Sequence, residues 1–423
     1  MAATPELLDN IRAGYHRETM ADQKTDILII GGGLAGGTLA CILAAHDVET
    51  VVIDREAPST VLDPHYDGRA SAIALGSQRV LAGAGLWDDL IDDSAVIQDI
   101  RVADGDSLMF LHYDHQDLGG EPFGFMVENR RHRAALAKRF ATLDKLTVRA
   151  PDRLDTLERS ADGVTAVLQN GDTIRARLVV GADGRGSEVR KRAGIQLTGW
   201  SYNQCGIVCT VAHEKPHNNI AHEHFLPAGP FATLPLMGNQ SCIVWTETSE
   251  LTPVMMALNE AAFGAELTER FGDFLGQVDV VGDRWSYPLS LQFAMRTIDE
   301  RLVLIADAAH GMHPIAGQGL NMGLRDVAAL AEVIIDARRL GLDVGTATVL
   351  DRYERWRRFD NTLMLAMTDI LNRLFSNDIA PVRVARDLGL GIVNKIPPMK
   401  RLFMRHAMGL VGDLPRLMRG DSL

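Results

Sequence analysis

The chain has only four cysteines in 423 residues, Cys41, Cys205, Cys209 and Cys242, and no C-x-x-C pair. That excludes a disulfide-stapled secreted framework and points to small buried thiols in a reducing cytoplasm. No window holds the eighteen or so consecutive apolar residues that a membrane span requires. Residues 1–24 are mixed-charge and lack the apolar stretch of a signal peptide, so a mobile N-terminal arm is expected there. Basic charge is short: 43 Lys plus Arg face 55 Asp plus Glu, a net −12, where a general nucleic-acid binder carries a basic footprint. That sign also disfavours adhesion of the whole surface to an anionic membrane. His310 and His313 stand at H-x-x-H spacing, and His213, His217, His222 and His224 cluster, but neither group brings a convergent third ligand, so no metal is expected.

What is present begins with glycine. The length is about three typical domains, enough for two or more with large cores. Asp26–Ile30 is a short β-branched apolar run of buried-strand type, and it leads directly into Gly31-Gly32-Gly33-Leu34-Ala35-Gly36. Small apolar residues at helical density follow to Ala45, then a second strand, Glu49–Ile53, that ends on Asp54. The first glycine of G-x-G-x-x-G permits the tight turn, the second lets a pyrophosphate approach the backbone, and the third lets helix pack on strand. Asp54 stands eighteen residues after Gly36, placed for ribose hydroxyls and repulsive to a 2′-phosphate. FAD or NAD is therefore favoured over NADP. No second G-x-G-x-x-G occurs.

Two further elements carry glycine after a strand. Leu178-Val-Val-Gly-Ala-Asp-Gly-Arg-Gly-Ser187 sets Asp183 at a strand end, although Asp-Gly by itself is most often a turn. Leu304–His310 runs into a Gly- and Pro-rich loop and then a helix expected from about Gly319 to Leu340. Such a loop lets backbone lie against a flat ligand, with the positive end of the helix dipole aimed at it. Between them, Val164–Gln169, Ile174–Val180, Ile207–Val211 and Ser241–Thr246 alternate with turn signals, so sheets built from hairpins are expected, with a sheet-rich region at about 200–295. Residues 351–423 read as helices.

The stretch His313-Pro-Ile-Ala-Gly-Gln-Gly-Leu-Asn-Met-Gly-Leu-Arg-Asp326 fits, at every fixed position, a motif of the class A flavoprotein monooxygenases, the para-hydroxybenzoate hydroxylase type. Within it the chain resembles the UbiH/UbiF aromatic-ring hydroxylases of ubiquinone biosynthesis over most of 25–420. Asp67–Leu75, Val127–Arg130 and Phe375–Pro381 are similar to family segments as well. The resemblance implies an α/β fold: a Rossmann-like FAD-binding domain, discontinuous over 25–75, 120–200 and 295–350, a sheet-rich substrate domain over 76–119 and 201–294, and a helical region over 351–423. It implies that Gly31, Gly33, Gly36 and Asp54 hold the ADP half of FAD, that Arg69 and Arg130 lie along the cofactor, and that Asp183 stands near the pyrophosphate and the passing NAD(P)H. Asp307 would contact the ribityl chain, and Pro314, Gly317, Gly319, Leu320 and Asn321 the flavin ring. One departure is Ala306, where the family usually has Gly.

The activity so implied is hydroxylation of a polyprenyl phenol by a flavin C4a-hydroperoxide, with NAD(P)H as electron donor, O2 as oxidant and no metal. Phe225, Phe231, Leu234, Leu236, Trp245 and Pro288 are candidate walls of the substrate pocket, each as readily ordinary core. No residue stands out as the base for the phenol proton. Two other readings stay open: a same-fold reductase or halogenase, and a scaffold subunit of a quinone-biosynthetic complex. The net charge is uneven, since residues 351–423 hold 13 basic and 8 acidic residues, +5, leaving −17 on the rest. Lys400–Leu410 sets apolar residues and methionines beside cations, which suits contact with partner proteins or an anionic membrane as well as packing on the flavin domain. A cytoplasmic protein, peripheral on the inner face of the membrane, is the expectation.

Overall fold

The computed structural model describes residues 22–63, 65–105, 110–312, 317–375 and 396–423. Residues 1–21 of the arm expected over 1–24, and 376–381 of the similar segment Phe375–Pro381, lie outside them. A parallel sheet runs in the order Leu146–Arg149, Thr50–Ile53, Asp22–Ile30, Thr173–Gly181, Leu302–Leu304. Its strands are short, β-branched and buried, as a sheet covered on both faces requires. One face is covered by the helices Leu34–Ala45, Asn129–Phe140 and Gln318–Arg339, whose Leu39, Leu43, Leu136, Leu324 and Ile334 share a core with Ile27 and Ile29. The chain leaves the first strand toward Thr50–Ile53 and later returns on its other side as Thr173–Gly181. The first strand is thus a topological switch point, with a crevice at its carboxyl end.

That strand starts at Asp22, three residues before the expected boundary at Thr25, so residues 22–24 do not belong to an arm. Asp22 pairs in register with Thr173, and its carboxylate meets the Arg175 guanidinium at 2.6 Å. The extension is not fully buried, and an apolar pattern cannot mark residues held by ladder hydrogen bonds alone.

A second sheet of eight strands runs His310–Gly311, Val278–Ala294, Leu197–His213, Gln240–Thr248, Gly229–Pro235, Ile220–Leu226, Asp99–Asp104, Phe110–Asp114. All its pairings are antiparallel except Ile220–Leu226 with Asp99–Asp104. One face packs on the helix Glu260–Phe271 through Phe263, Leu267 and Phe271. The other face looks toward the parallel sheet. A third, small sheet of Ala70–Ala74, Gly124–Glu128 and Ala95–Ile97 lies between the two.

Two expected boundaries move. Residues 80–90 pack away from the substrate sheet, with Val80, Leu81, Leu86 and Trp87 buried in the core of the parallel sheet, whereas Ala95 and Ile97 share the core of the larger sheet and 99–104 and 110–114 join that sheet itself. Residues 197–200 open the long Leu197–His213 strand instead of closing the dinucleotide-binding unit. The tail is helical at Ala347–Phe375, Pro397–Ala407 and Arg416–Arg419. Leu417 and Met418 plug into the first core, while Met404 and Met408 are buried in the core beneath the second sheet. The apolar face expected in 400–410 is therefore largely spent inside the protein. No helix among the described residues is long and apolar enough to cross a membrane.

Candidate active site

The glycine turn is built by close approach. Gly31 sits at φ +105°, and a Cβ there would lie 2.4 Å from the Ala182 carbonyl oxygen; a Cβ on Gly36 would lie 2.0 Å from the Gly31 carbonyl oxygen. Neither place admits a side chain. Gly33 differs, for a Cβ there meets nothing within 4 Å. It caps the Leu34–Ala45 helix, which starts with no side-chain cap and no acidic residue in its first turn. Asp54 accepts from the Gly32 N–H at 2.7 Å and from the Glu56 N–H at 2.9 Å. Burial raises the Asp54 carboxyl above its ordinary pKa, and those two N–H groups offset part of that.

The second element takes an unexpected direction. Asp183 turns its carboxylate to the start of the Glu188–Arg192 helix, accepting from the N–H groups of Glu188 (2.7 Å) and Val189 (3.2 Å). Its other carboxylate oxygen is buried without a partner. The neighbours Ala182 and Arg185, not Asp183, line the cavity.

The third element is anchored from behind by Asp326. This fully buried carboxylate accepts from the Ala306 N–H (2.9 Å) and from Arg357 Nε (2.7 Å), and lies 2.6 Å from His310 Nε2. Burial alone would raise its pKa, but the facing His310 and Arg357 hold it well below the usual carboxylate range. Asp307 lines the cavity, half exposed, 3.8 Å from Arg185. Gly317, at φ +64°, caps the Gln318–Arg339 helix, again with no side-chain cap and no acid in the first turn. Asn321 braces this start: its Oδ1 accepts from the Ala74 N–H at 2.9 Å, and its Nδ2 donates to the carbonyls of Ala72 (2.8 Å) and Gly317 (3.1 Å). His313 and Pro314 lie outside the described residues.

These elements enclose one end of a cavity of about 1120 Å³. Gly33, Arg69, Asp307, Gly317, Gly319, Leu320 and Asn321 all line it. Arg69 is held by a bidentate pair with Asp67 (2.8 and 3.0 Å) and stacks 4.8 Å from the centre of the Tyr287 ring. Arg130 stands apart, paired with Glu128 at 2.9 Å and absent from the cavity wall. The opposite end is the second sheet, where Phe225, Leu234 and Pro288 face the cavity as expected. Phe231 and Trp245 do not. They sit opposite each other in register on the far face, and Trp245 packs 5.7 Å from Phe263. Leu236 is buried in the cavity-side core without reaching the cavity wall.

A family model for the FAD binding domain matches residues 24–365. The chain is 58% identical over 406 residues to the ubiquinone hydroxylase UbiL of Rhodospirillum rubrum, covering 95% of this chain and 94% of that one. It is 35% identical to the 3-demethoxyubiquinol 3-hydroxylase of Escherichia coli, covering 92% of this chain and 100% of that one. The chain belongs to the UbiH/UbiF family of FAD-dependent hydroxylases. The solved p-nitrophenol 4-monooxygenase PnpA of Pseudomonas putida shares the fold, with a TM-score of 0.76 at 21% identity over 92% of this chain and 99% of that one.

The UbiH/UbiF cofactor, FAD, fits the residues present. Two long helices begin uncapped and free of first-turn acid, as an anionic ligand requires. Gly33 and Gly319, where a Cβ would meet nothing within 4 Å, leave open space beside those helix starts. Ala306, the departure from the UbiH/UbiF pattern, adopts φ +51°, a conformation that favours glycine. Its methyl is accommodated because Gly323 lacks one: a Cβ on Gly323 would come within 2.8 Å of it.

Residues of the cavity that sequence reasoning missed include Tyr113, Arg185, Glu223, Tyr287 and Phe403. Strand parity was the available signal for some of them. Leu234 and Phe231 are three positions apart and must face opposite ways, and Glu223 shares a face with Phe225.

Proposed function

We propose that this chain hydroxylates the aromatic ring of a polyprenyl phenol on the way to ubiquinone, using FAD, NAD(P)H and O2. The observation that carries this is the cavity, about 1120 Å³, with a glycine turn and two helix starts at one end and an apolar sheet at the other. One ligand usually fills roughly 300–1,000 Å³, so a flavin and a ring with the start of its tail fit together. The names of the relatives in R. rubrum and E. coli support the same substrate class.

In this reading the backbone at Gly31, Gly33 and Gly36 and the start of the Leu34–Ala45 helix hold the pyrophosphate, and Asp54 takes the adenosine ribose. Arg69 and Asp307 lie along the middle of the cofactor. Gly317, Gly319, Leu320 and Asn321 lie against its ring. Bound FAD supplies the two-electron chemistry that takes up hydride from NAD(P)H and activates O2. The protein's part is to hold and shield. N–H groups at the start of the Gln318–Arg339 helix favour negative charge on the ring, and the Asn321 bridges fix that helix start to the Ala70–Ala74 strand. The walls from Phe225, Leu234, Pro288 and the tail residues Met364, Phe403 and Ala407 exclude water. The parallel-sheet unit serves as the FAD domain and the larger sheet as the substrate domain.

A peripheral membrane contact suits a substrate with a lipid tail. Support comes from Phe359, Ile370 and Leu402, which are 72%, 62% and 55% exposed on the basic tail. Replacing all three with serine is expected to abolish co-sedimentation with anionic liposomes, and unchanged binding would remove this contact from the proposal.

The reaction is tested by expressing the chain in strains blocked at each ring hydroxylation of ubiquinone synthesis and identifying the quinones by mass spectrometry. Restored ubiquinone in at least one strain is expected. Failure in all of them, with a yellow and folded protein, would refute the substrate class.

A further inference from the structure

Resting on that reading of the substrate, one acidic side chain stands in the substrate end of the cavity with no structural task. Glu223 lies on the Ile220–Leu226 strand, directly opposite Val102 on one neighbouring strand and Ala232 on the other. Ala221 and Phe225 flank it two residues away on the same face, and all five residues line the cavity. The carboxyl is thus ringed by apolar groups. Among the described residues it makes no hydrogen bond and no ion pair. Burial, with no charge to oppose it, pushes its pKa up to about 7. A carboxyl kept without a partner in an apolar wall costs stability and is retained where it does chemistry.

The other ionisable groups nearby face elsewhere. His222 also borders the cavity, but its ring lies 4.6 Å from that of Phe274, and strand parity places it with Asp99, Arg101 and His224 on the face opposite Glu223. Asp104 shares the face of Glu223 but is buried outside the cavity wall, and the Gly229–Pro235 strand has no ionisable side chain. The cavity is also lined by Tyr113, two strands away on the same sheet, by Tyr287 and by His406, with Arg69, Arg185 and Asp307 at the flavin end. Of these Arg69 is already paired with Asp67, and Arg185 bonds Ser290 Oγ (2.9 Å) and the Met312 carbonyl (3.1 Å).

We propose that Glu223 is the acid–base residue of the substrate end, its carboxylate accepting the proton of the ring hydroxyl. The phenol O–H bond breaks, its electron pair stays on oxygen, and a new O–H bond forms on the Glu223 carboxyl. The phenolate so formed pushes electron density into the ring carbons ortho and para to it, where an electrophilic oxygen adds. The resulting ring ketone regains aromaticity as the ring carbon gives its hydrogen as a proton to the anion left by the oxygen donor, and the carboxyl returns its own proton to the ring oxygen. The shuttle is balanced, with no redox change at Glu223.

The test uses the FAD-loaded full chain with 2-geranylphenol and its methyl ether, which has no hydroxyl proton. Hydroxylation of the phenol by wild type is expected to rise through about pH 7 to a plateau. Glu223→Gln should keep its FAD and lose about 100-fold or more in kcat, with the pH limb gone. Glu223→Asp should retain the limb at reduced rate. A Glu223→Gln enzyme with the wild-type rate or the wild-type limb would overturn the assignment. Binding, read from the flavin absorbance, decides independently of turnover and of any folding defect in the variants. At pH 8 wild type should bind the phenol about tenfold more tightly than the ether, with the gap closing as pH falls through 7. An equal gap at every pH would overturn the role of Glu223. A wild type that shows this binding pattern but hydroxylates nothing would refute the proposed function and leave the proton contact standing.

Discussion

Asp326→Asn is the substitution whose consequences run furthest from the core to the site. The side chain is fully buried and ties together the Ala306 N–H, His310 and the equally buried Arg357. Asparagine keeps the shape and one acceptor oxygen but removes the charge. Among the described residues Arg357 then keeps one carboxylate partner, Asp360 at 2.9 Å, and the Asn361 side chain at 2.6 Å. Breaking a buried ion pair from one side costs about 3–5 kcal/mol, and the remaining acceptors place this case near the lower end. In a chain this long each kcal/mol moves the unfolding midpoint by about 2 °C or slightly less, so a drop of about 4–6 °C follows. The backbone at Ala306 sits at φ +51° and leads directly into Asp307, so the variant should also lose FAD more readily. The pH dependence has a definite sign. The folded-state pKa of Asp326 is depressed, so its contribution is present above the unfolded value of about 3.9 and is lost as pH falls below it. The gap between wild type and variant should therefore narrow below about pH 4. Thermal unfolding followed by near-ultraviolet circular dichroism, with FAD content from absorbance, measures both effects. A variant that melts within 1 °C of wild type at pH 7 and keeps its FAD would refute this account of the loop.

Gly36→Ala and Gly33→Ala should separate packing from ligand space. The first places a methyl 2.0 Å from the Gly31 carbonyl oxygen and should give little folded protein, while the second meets nothing within 4 Å and should fold but bind FAD at least about tenfold more weakly. Equal FAD retention by Gly33→Ala in an equilibrium titration would contradict the cradle. Trp245→Ala should cost about 3–5 kcal/mol in denaturant unfolding and leave the KM for 2-geranylphenol unchanged, because the ring packs on Phe263 away from the cavity. Leu234→Ala should do the reverse, raising KM with a smaller stability loss, since Leu234 lines the cavity.

Much of the first sheet could be read directly. The run Ile27–Ile30, the glycines and Asp54 are contiguous in sequence and carry their own geometry, so strand, turn and helix follow from local pattern. The cavity could not be read in the same way, because its wall joins residues from ten separate strands and the tail helices. Aromatic size suggested Phe231 and Trp245, yet the alternation of the strand sends both to the far face. Glu223 gave no local signal, since a lone acid in a strand resembles a solvated surface residue until the strands on either side are known to bring Val102 and Ala232 against it. The basic tail shows the same limit: the methionines of 400–410 were visible as apolar, but only the tertiary structure has Met404 and Met408 filling the protein's own core.

The most direct test of the hydroxylase assignment is oxygen isotope incorporation. The FAD-loaded protein, NADH or NADPH and 2-geranylphenol are incubated under 18O2, and the extracted product is weighed by mass spectrometry. One added oxygen atom bearing the label, formed in step with NAD(P)H oxidation, is the predicted result. NAD(P)H oxidised with only hydrogen peroxide formed, or a product whose new oxygen comes from water, would contradict it.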